Sequence, residues 1–117
     1  KLAGLDDYSH DKSDTSLKLL SHGNAHEFAI LVDHQPRRMK KAAALGYDLY
    51  LAGHTHEGQV FPNNMIVKAM YDLSYGEGKF GHMIAYVTSG YGLWGVPMRL
   101  GTNPELVILE LKPQKAG

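Results

Sequence analysis

Short apolar runs alternate with polar, helix-like segments along the first half of the chain. The apolar run at residues 2–5 predicts a short strand, and the runs at 28–32 and 48–52 have the length and continuity of buried strands. Residues 37–45 follow Pro36, which suits the first turn of a helix, and their apolar spacing predicts a helix between the last two strands. This order of elements predicts an α/β fold with parallel strands at its centre.

The second half of the chain contains more strand-like segments and more glycine. Residues 83–88 and 106–111 are predicted to be strands. The glycine-rich stretches 76–81 and 90–95 both match the spacing G-x-G-x-x-G, but neither precedes a helical pattern. We therefore interpret them as turns, not as dinucleotide-binding loops. Residues 113–117 are predicted to be a frayed tail, which leaves residues 1–112 for the folded part.

Composition narrows the possible functions. The chain has 117 residues, the size of one domain, with 12 Lys and Arg against 12 Asp and Glu and hence no net charge at pH 7. A neutral chain has no general attraction for nucleic acid. The absence of cysteine excludes thiolate zinc sites and cysteine nucleophiles. No apolar run approaches the roughly 18 residues of a membrane-spanning helix, so no span is predicted in this chain.

Histidines follow two of the predicted strands. His34 comes directly after the second apolar run, and residues 53–56, Gly-His-Thr-His, follow the third. The carboxyl ends of parallel strands meet at one edge of a sheet, which is where α/β proteins bind ligands. His54 and His56 are then candidates for metal ligands, since imidazole is a common ligand of transition metals. Two chance loop histidines are the alternative interpretation of that pair.

Both histidine segments resemble motifs of one enzyme family. Residues 48–56, a buried strand that ends in Gly-His-Thr-His, resemble the G-H-T-H motif of the calcineurin-like metallophosphoesterases. Residues 30–36, Ile-Leu-Val-Asp-His-Gln-Pro, resemble that family's strand that ends in a metal-binding histidine followed by proline. Residues 2–7 and 87–106 are similar to a bacterial subgroup, the YkuE-like phosphohydrolases. The resemblance covers nearly the whole chain.

The resemblance implies that the chain is only part of the family's domain. The motifs D-x-H, G-D-x-x-D and G-N-H-[DE], which belong to the family's N-terminal half, are not present. The implied fold is α/β, the C-terminal half of a four-layer α/β/β/α sandwich with a mixed sheet and a β-rich second half. The missing layers would leave an apolar sheet face bare, so self-association is expected for the chain alone.

The resemblance also implies the chemistry. His34 and His54 would be ligands of one metal and His56 a ligand of the other, in a centre of two divalent ions drawn from Mn, Fe, Zn or Ni. The implied reaction is two-metal activation of water for in-line attack on a phosphate ester or diphosphate. The bridging aspartate and the family's general-acid histidine would lie upstream, so the catalytic residue is unknown in this chain. Alone, the chain is expected to bind metal weakly and to be inactive.

Two further residues have alternative interpretations. Arg99 is similar to a recurrent arginine of the subgroup and would either contact substrate phosphate or form a structural salt bridge. Glu57 stands where the subgroup often has a small residue, and is either a solvated side chain or a group that repels phosphate. The expected substrate is a phosphorylated small molecule or a lipid-linked phosphate. The subgroup is often anchored outside the cytoplasmic membrane by an N-terminal segment, which gives the expected location.

Two other functions remain open at this point. A zinc amidohydrolase also uses an H-x-H pair, but on the first strand of a much longer barrel. A non-catalytic interaction module, derived from an enzyme but lacking its ligands, is the other alternative.

Overall fold

The computed structural model describes residues 1–7, 17–18, 27–55, 63–92, 98 and 102–113. Within these ranges it contains a five-stranded sheet and two helices with described bounds, and residues 17 and 18 are helical as well. The elements, in chain order, are β1 Leu2–Gly4, β2 Ile30–Asp33, α1 Met39–Ala44, β3 Leu49–Ala52, α2 Asn63–Met70, β4 Gly76–Phe80 and β5 Met83–Val87. Among the described residues, no helix is long and apolar enough to cross a membrane.

The sheet has the strand order β1-β2-β3-β5-β4. The first four strands in this order are mutually parallel, and β4 is antiparallel to β5. This mixed sheet confirms the predicted α/β fold. β2 and β3 run in step, since Ile30 pairs with Leu49 and Asp33 pairs with Ala52. The residues that follow β2 and β3 therefore lie next to each other, at the edge of the sheet formed by the carboxyl ends of the strands.

The glycine-rich stretch 76–81 was expected to be a turn, and that interpretation is wrong. Gly76–Phe80 is strand β4, which pairs with β5 from Gly76 opposite Val87 to Phe80 opposite Met83. A Cβ atom at Gly78 would lie only 3.0 Å from Leu73 Cδ2, so the missing side chain lets Leu73 pack closely against the strand. Pairing with β5 is a tertiary interaction that local glycine content does not reveal.

The predicted strand at residues 106–111 is also not formed. Residues 102–113 belong to neither a helix nor a strand, and the side chains of Leu106 and Ile108 are 85% and 87% exposed. The preceding residue is well anchored, since the Glu105 carboxylate accepts hydrogen bonds from the Ser89 N–H and the Tyr75 hydroxyl. A strand needs a partner, and no described strand pairs with this segment.

One face of the sheet forms the core. Leu31, Tyr50 and Ala85 lie side by side in register and are fully buried. Met39 and Ala42 of α1 belong to the same buried cluster, so the helix covers this face.

The opposite face is apolar and largely uncovered by the described residues. Its most exposed side chains are Leu2 (72% exposed), Ile84 (45%) and Val32 (42%). Ile30, Leu51 and Tyr86 occupy the intervening positions and are half-buried. These six residues are called the open face below.

A buried ion pair lies beneath the carboxyl end of β2. Asp33 Oδ1 accepts a hydrogen bond from Arg38 Nη1 (3.0 Å), and Oδ2 accepts one from the Tyr50 hydroxyl (2.6 Å). Arg38 Nη1 also lies 3.4 Å from the carbonyl oxygen of Asp6, beyond the end of β1. Burial, and next the Asp33 carboxylate, raises the pKa of Tyr50 well above its usual range. The cluster thus links the end of β2 to β3 and to the residues that follow β1.

We expect Tyr50→Phe to lower the free energy of unfolding by about 1.5–3 kcal/mol, because the buried Asp33 carboxylate loses a charge-assisted hydrogen bond. Urea unfolding measures the change. Tyr86→Phe is the matched control, since Tyr86 lies on the open face and is only half-buried. Equal losses in the two variants would contradict a special role for the Tyr50 hydroxyl.

Tyr47 is buried between α1 and β3, and its hydroxyl has no hydrogen-bond partner in the described part of the chain. Burial raises its pKa. Removing an unsatisfied buried hydroxyl recovers its desolvation cost, so Tyr47→Phe is expected to be neutral or to stabilise the fold by about 1 kcal/mol. The same unfolding assay tests this, and a loss of stability above about 1 kcal/mol would mean that the hydroxyl is bonded.

Candidate metal centre

Two turns meet at the edge of the sheet where β2 and β3 end. His34 follows Asp33, and Gly53 follows Ala52, which pairs with Asp33. The Gly53 N–H donates a hydrogen bond to the carbonyl oxygen of His34 (3.3 Å). The two turns are therefore joined through the backbone as well as through neighbouring strands.

His54 adopts an unusual backbone conformation. Its φ of 66° lies in the left-handed region, which costs a residue with a Cβ atom free energy and recurs at functional sites. The next residue holds the turn in place, since the buried Thr55 hydroxyl donates to the carbonyl oxygen of Ser74 (2.8 Å). Surrounding structure thus fixes the direction in which the His54 ring leaves the backbone.

The structure brings the imidazoles of His34 and His54 into direct contact. His34 Nε2 lies 2.7 Å from His54 Nδ1, and the ring centroids are 4.5 Å apart with the planes inclined at 67°. At this distance one of the two nitrogens carries a proton and donates a hydrogen bond, and the other accepts that hydrogen bond. Both rings thus direct a nitrogen to the same point at the sheet edge.

The other site residues suggested by the sequence lie outside the described part of the chain. These are His56, the third predicted metal ligand, Arg99, the predicted phosphate contact, and Glu57. Their roles remain predictions.

The structure adds one acidic residue that the sequence analysis did not select. Asp7 Oδ2 lies 3.6 Å from His34 Nε2, and the Gln35 amide nitrogen lies 3.2 and 3.4 Å from the two carboxylate oxygens of Asp7. A signal for it was available, because Asp7 follows β1, and β1 is the parallel neighbour of β2. The rule that selected the histidines, residues after the carboxyl ends of adjacent strands, also selects Asp7.

These donors fit part of a metal site. Two imidazole nitrogens are donors that suit Zn, Fe or Ni. Within the described ranges, however, no group of three or more His, Asp or Glu residues is arranged closely enough to hold an ion. Two donors on one tetrahedral ion lie about 3.4 Å apart, so an ion would require the His34 and His54 nitrogens to separate by about 0.7 Å from 2.7 Å.

Comparison with known proteins identifies relatives by sequence. No protein-family model and no solved structure matches the chain. An uncharacterized metallophosphoesterase of Campylobacter jejuni is 38% identical over 117 residues, which cover 97% of this chain and 30% of the relative. YkuE of Bacillus subtilis, also named an uncharacterized metallophosphoesterase, is 35% identical over 73% of the chain and 31% of the relative.

A vertebrate protein is similar as well. A zebrafish (Danio rerio) transmembrane protein with metallophosphoesterase domain is 38% identical over 71% of the chain and 20% of its own length. The chain thus spans between a fifth and a third of these three relatives. The motifs at the ends of β2 and β3 agree with the name that these bacterial and vertebrate relatives share, and the chain belongs to the calcineurin-like metallophosphoesterase family.

Proposed function

We propose that this chain is part of a metal-dependent phosphoesterase that hydrolyses a phosphate ester or diphosphate. The observation that carries the proposal is the contact between His34 and His54 at the edge of the sheet, in a chain whose relatives are metallophosphoesterases. Neither residue is close to the other in sequence, so their contact depends on the fold.

In this proposal, His34 and His54 hold one divalent ion and His56 contributes to a second. Neutral imidazoles donate electron pairs without cancelling the charge of the ion, so the centre stays attractive to a phosphate anion. A divalent ion at this place would supply a Lewis acid that polarises the phosphoryl group and lowers the pKa of a water molecule. The buried Asp33, Arg38 and Tyr50 cluster holds the turn that presents His34.

The chain alone supplies too few donors for two ions. Three histidines divided between two sites fall short of the four to six ligands that each ion takes. We therefore propose that the remaining ligands come from polypeptide outside this chain and that the chain alone is inactive. Two facts support this: the chain spans less than a third of the Campylobacter jejuni relative, and the open face is apolar.

The same proposal includes the substrate and the location. Arg99 would contact the phosphate of a phosphorylated small molecule or a lipid-linked phosphate, as Arg commonly does with phosphate oxygens. Anchoring to a membrane through another segment is supported by relatives from zebrafish and cattle that are named transmembrane proteins with a metallophosphoesterase domain, and the location outside the cytoplasmic membrane is part of the same proposal.

The comparisons favour this proposal over the zinc amidohydrolase alternative, because the relatives carry the metallophosphoesterase name. The non-catalytic module is distinguished by activity. If the full-length polypeptide binds metal through these histidines but hydrolyses no phosphate ester, the non-catalytic module is favoured.

The test is hydrolysis of p-nitrophenyl phosphate and of bis-p-nitrophenyl phosphate by the full-length polypeptide in which the chain occurs. We expect His34→Ala and His54→Ala to lower both kcat/KM and the bound metal per chain. The loss should exceed the roughly 10–100-fold that removing an outer-shell partner causes, because a ligand itself is removed. Elemental analysis after dialysis against Mn²⁺ or Zn²⁺ gives the metal content.

His82→Ala is the matched control for these variants. His82 lies in the turn between β4 and β5, with Nε2 3.8 Å from Asp48 Oδ1, on a different part of the sheet. It should retain wild-type metal content and activity. Wild-type metal content and activity in His54→Ala would refute the proposed site.

We further propose that the chain alone self-associates through the open face, because apolar patches of this kind are rarely left in water. Light scattering after size exclusion should give a mass above 12.9 kDa for the chain. Val32→Lys and Ile84→Lys should restore the monomer, since each places a charge in the apolar patch. Leu45→Lys, an exposed apolar position at the end of α1, is the control and should not. A monomeric wild-type chain would contradict this.

A further inference from the structure

Tyr91 is an exposed aromatic residue in the turn that follows β5. β5 pairs in parallel with β3, with Val87 opposite Ala52, and the Thr88 N–H extends the pairing by donating to the carbonyl oxygen of Ala52 (2.9 Å). Neighbouring strands lie about 4.8 Å apart, so the turn after β5 begins one strand spacing from the turn that carries His54. Tyr91 therefore belongs to the edge of the sheet at which α/β proteins bind ligands.

Hydrogen bonds to residues 103–105 fix the backbone that leads to Tyr91. Ser89 is buried, its N–H donates to the Glu105 carboxylate (3.0 Å), and its hydroxyl donates to the carbonyl oxygen of Asn103 (2.8 Å). Gly90 has a φ of 72°, a left-handed conformation that glycine adopts without a steric cost. Its carbonyl oxygen accepts a hydrogen bond from the Glu105 N–H (3.1 Å). The turn is thus held firmly up to the residue before Tyr91.

The ring of Tyr91 contributes little to the folded chain and is well suited to contact a ligand. Tyr91 is 79% exposed, and the hydrophobic effect stabilises a fold in proportion to the apolar area removed from water. Tyrosine has only two side-chain torsions, so a ligand that stacks on its ring restricts little conformational freedom. An exposed ring on a fixed turn can therefore hold a planar group by aromatic stacking.

We propose that Tyr91 is a specificity-determining residue that stacks on a planar aromatic group in the part of the substrate esterified to phosphate. This inference rests on the proposed phosphoesterase function and narrows its substrates to phosphorylated small molecules that carry such a ring. Stacking is the same before and during the reaction, so it strengthens binding without accelerating the chemical step. Loss of the ring should then raise KM and leave kcat unchanged.

The test is inhibition of p-nitrophenyl phosphate or bis-p-nitrophenyl phosphate hydrolysis in the full-length polypeptide by phenylphosphonate and by methylphosphonate. These two inhibitors share the phosphonate group and differ in the planar ring. Tyr91→Ala is expected to raise the inhibition constant of phenylphosphonate about three- to tenfold, the loss expected for one aromatic pair. The inhibition constant of methylphosphonate should not change.

Tyr91→Phe and Phe28→Ala are the matched controls. Tyr91→Phe keeps the ring and should bind phenylphosphonate as wild type does. Phe28 is 52% exposed and precedes β2, at the opposite edge of the sheet, so Phe28→Ala removes an exposed ring away from the site. It should leave both inhibition constants unchanged. Weakened phenylphosphonate binding in either control, as large as in Tyr91→Ala, would overturn the stacking role.

The outcomes separate this inference from the proposed function. Hydrolysis that continues while Tyr91→Ala weakens both inhibitors equally, or neither, refutes the stacking role and leaves the proposed function standing. The wild-type protein alone gives a further test that needs no variant, because phenylphosphonate must bind more tightly than methylphosphonate. Equal binding would overturn the preference for a planar ring. If the full-length polypeptide hydrolyses neither p-nitrophenyl ester, the proposed function fails and this inference fails with it.

Discussion

The carboxylate of Asp33, buried at the end of β2, is the group on which the arrangement of this edge depends. A buried charge that loses its partner costs several kcal/mol, so the chain must keep Arg38 and the Tyr50 hydroxyl against it. Arg38 follows the turn that carries His34, and Tyr50 lies on the neighbouring strand. Satisfying one carboxylate therefore fixes the path of the turn relative to β3. The link from Arg38 to the Asp6 carbonyl oxygen extends the same constraint to the residue before Asp7.

The candidate site lies at the edge where neighbouring parallel strands end, and its closest contact joins His34 and His54. Parallel pairing in step makes β1, β2 and β3 end together, and Asp7, His34 and His54 follow them within one to three residues. Side chains at such an edge need not be long to touch one another, because the pairing of the strands already brings their backbones close together. The left-handed backbone conformation of His54 is locally unfavourable in free energy, and the hydrogen bond of the Thr55 hydroxyl stabilises the turn that contains it.

The strands carry more apolar surface than the described part of the chain covers. β2 and β3 read as continuous apolar runs, the pattern of strands covered on both faces. α1 covers one face, while Leu2, Val32 and Ile84 of the other remain exposed. Residues 106–111 also carry uncovered apolar surface, since this mostly apolar segment pairs with no described strand. Both features agree with a chain that spans a fifth to a third of the three relatives described above.

The amino-acid sequence by itself determined the α/β fold, the positions of β2, β3 and β5, and the placement of His34 and His54 after strands, because apolar runs and their flanking residues are local properties. Which other segments form strands, and which side chains meet at the edge of the sheet, depended on strand pairing. Residues 76–80 became β4 through contact with β5, against the local signal of their glycines, and residues 106–111 stayed unpaired despite a strand-like pattern. Asp7 lies beside His34 only because β1 pairs with β2, although Leu5 and Phe28 are 28 − 5 = 23 positions apart in the sequence. Distances of a few ångströms between residues far apart in sequence depend on register and burial, which only the folded chain sets.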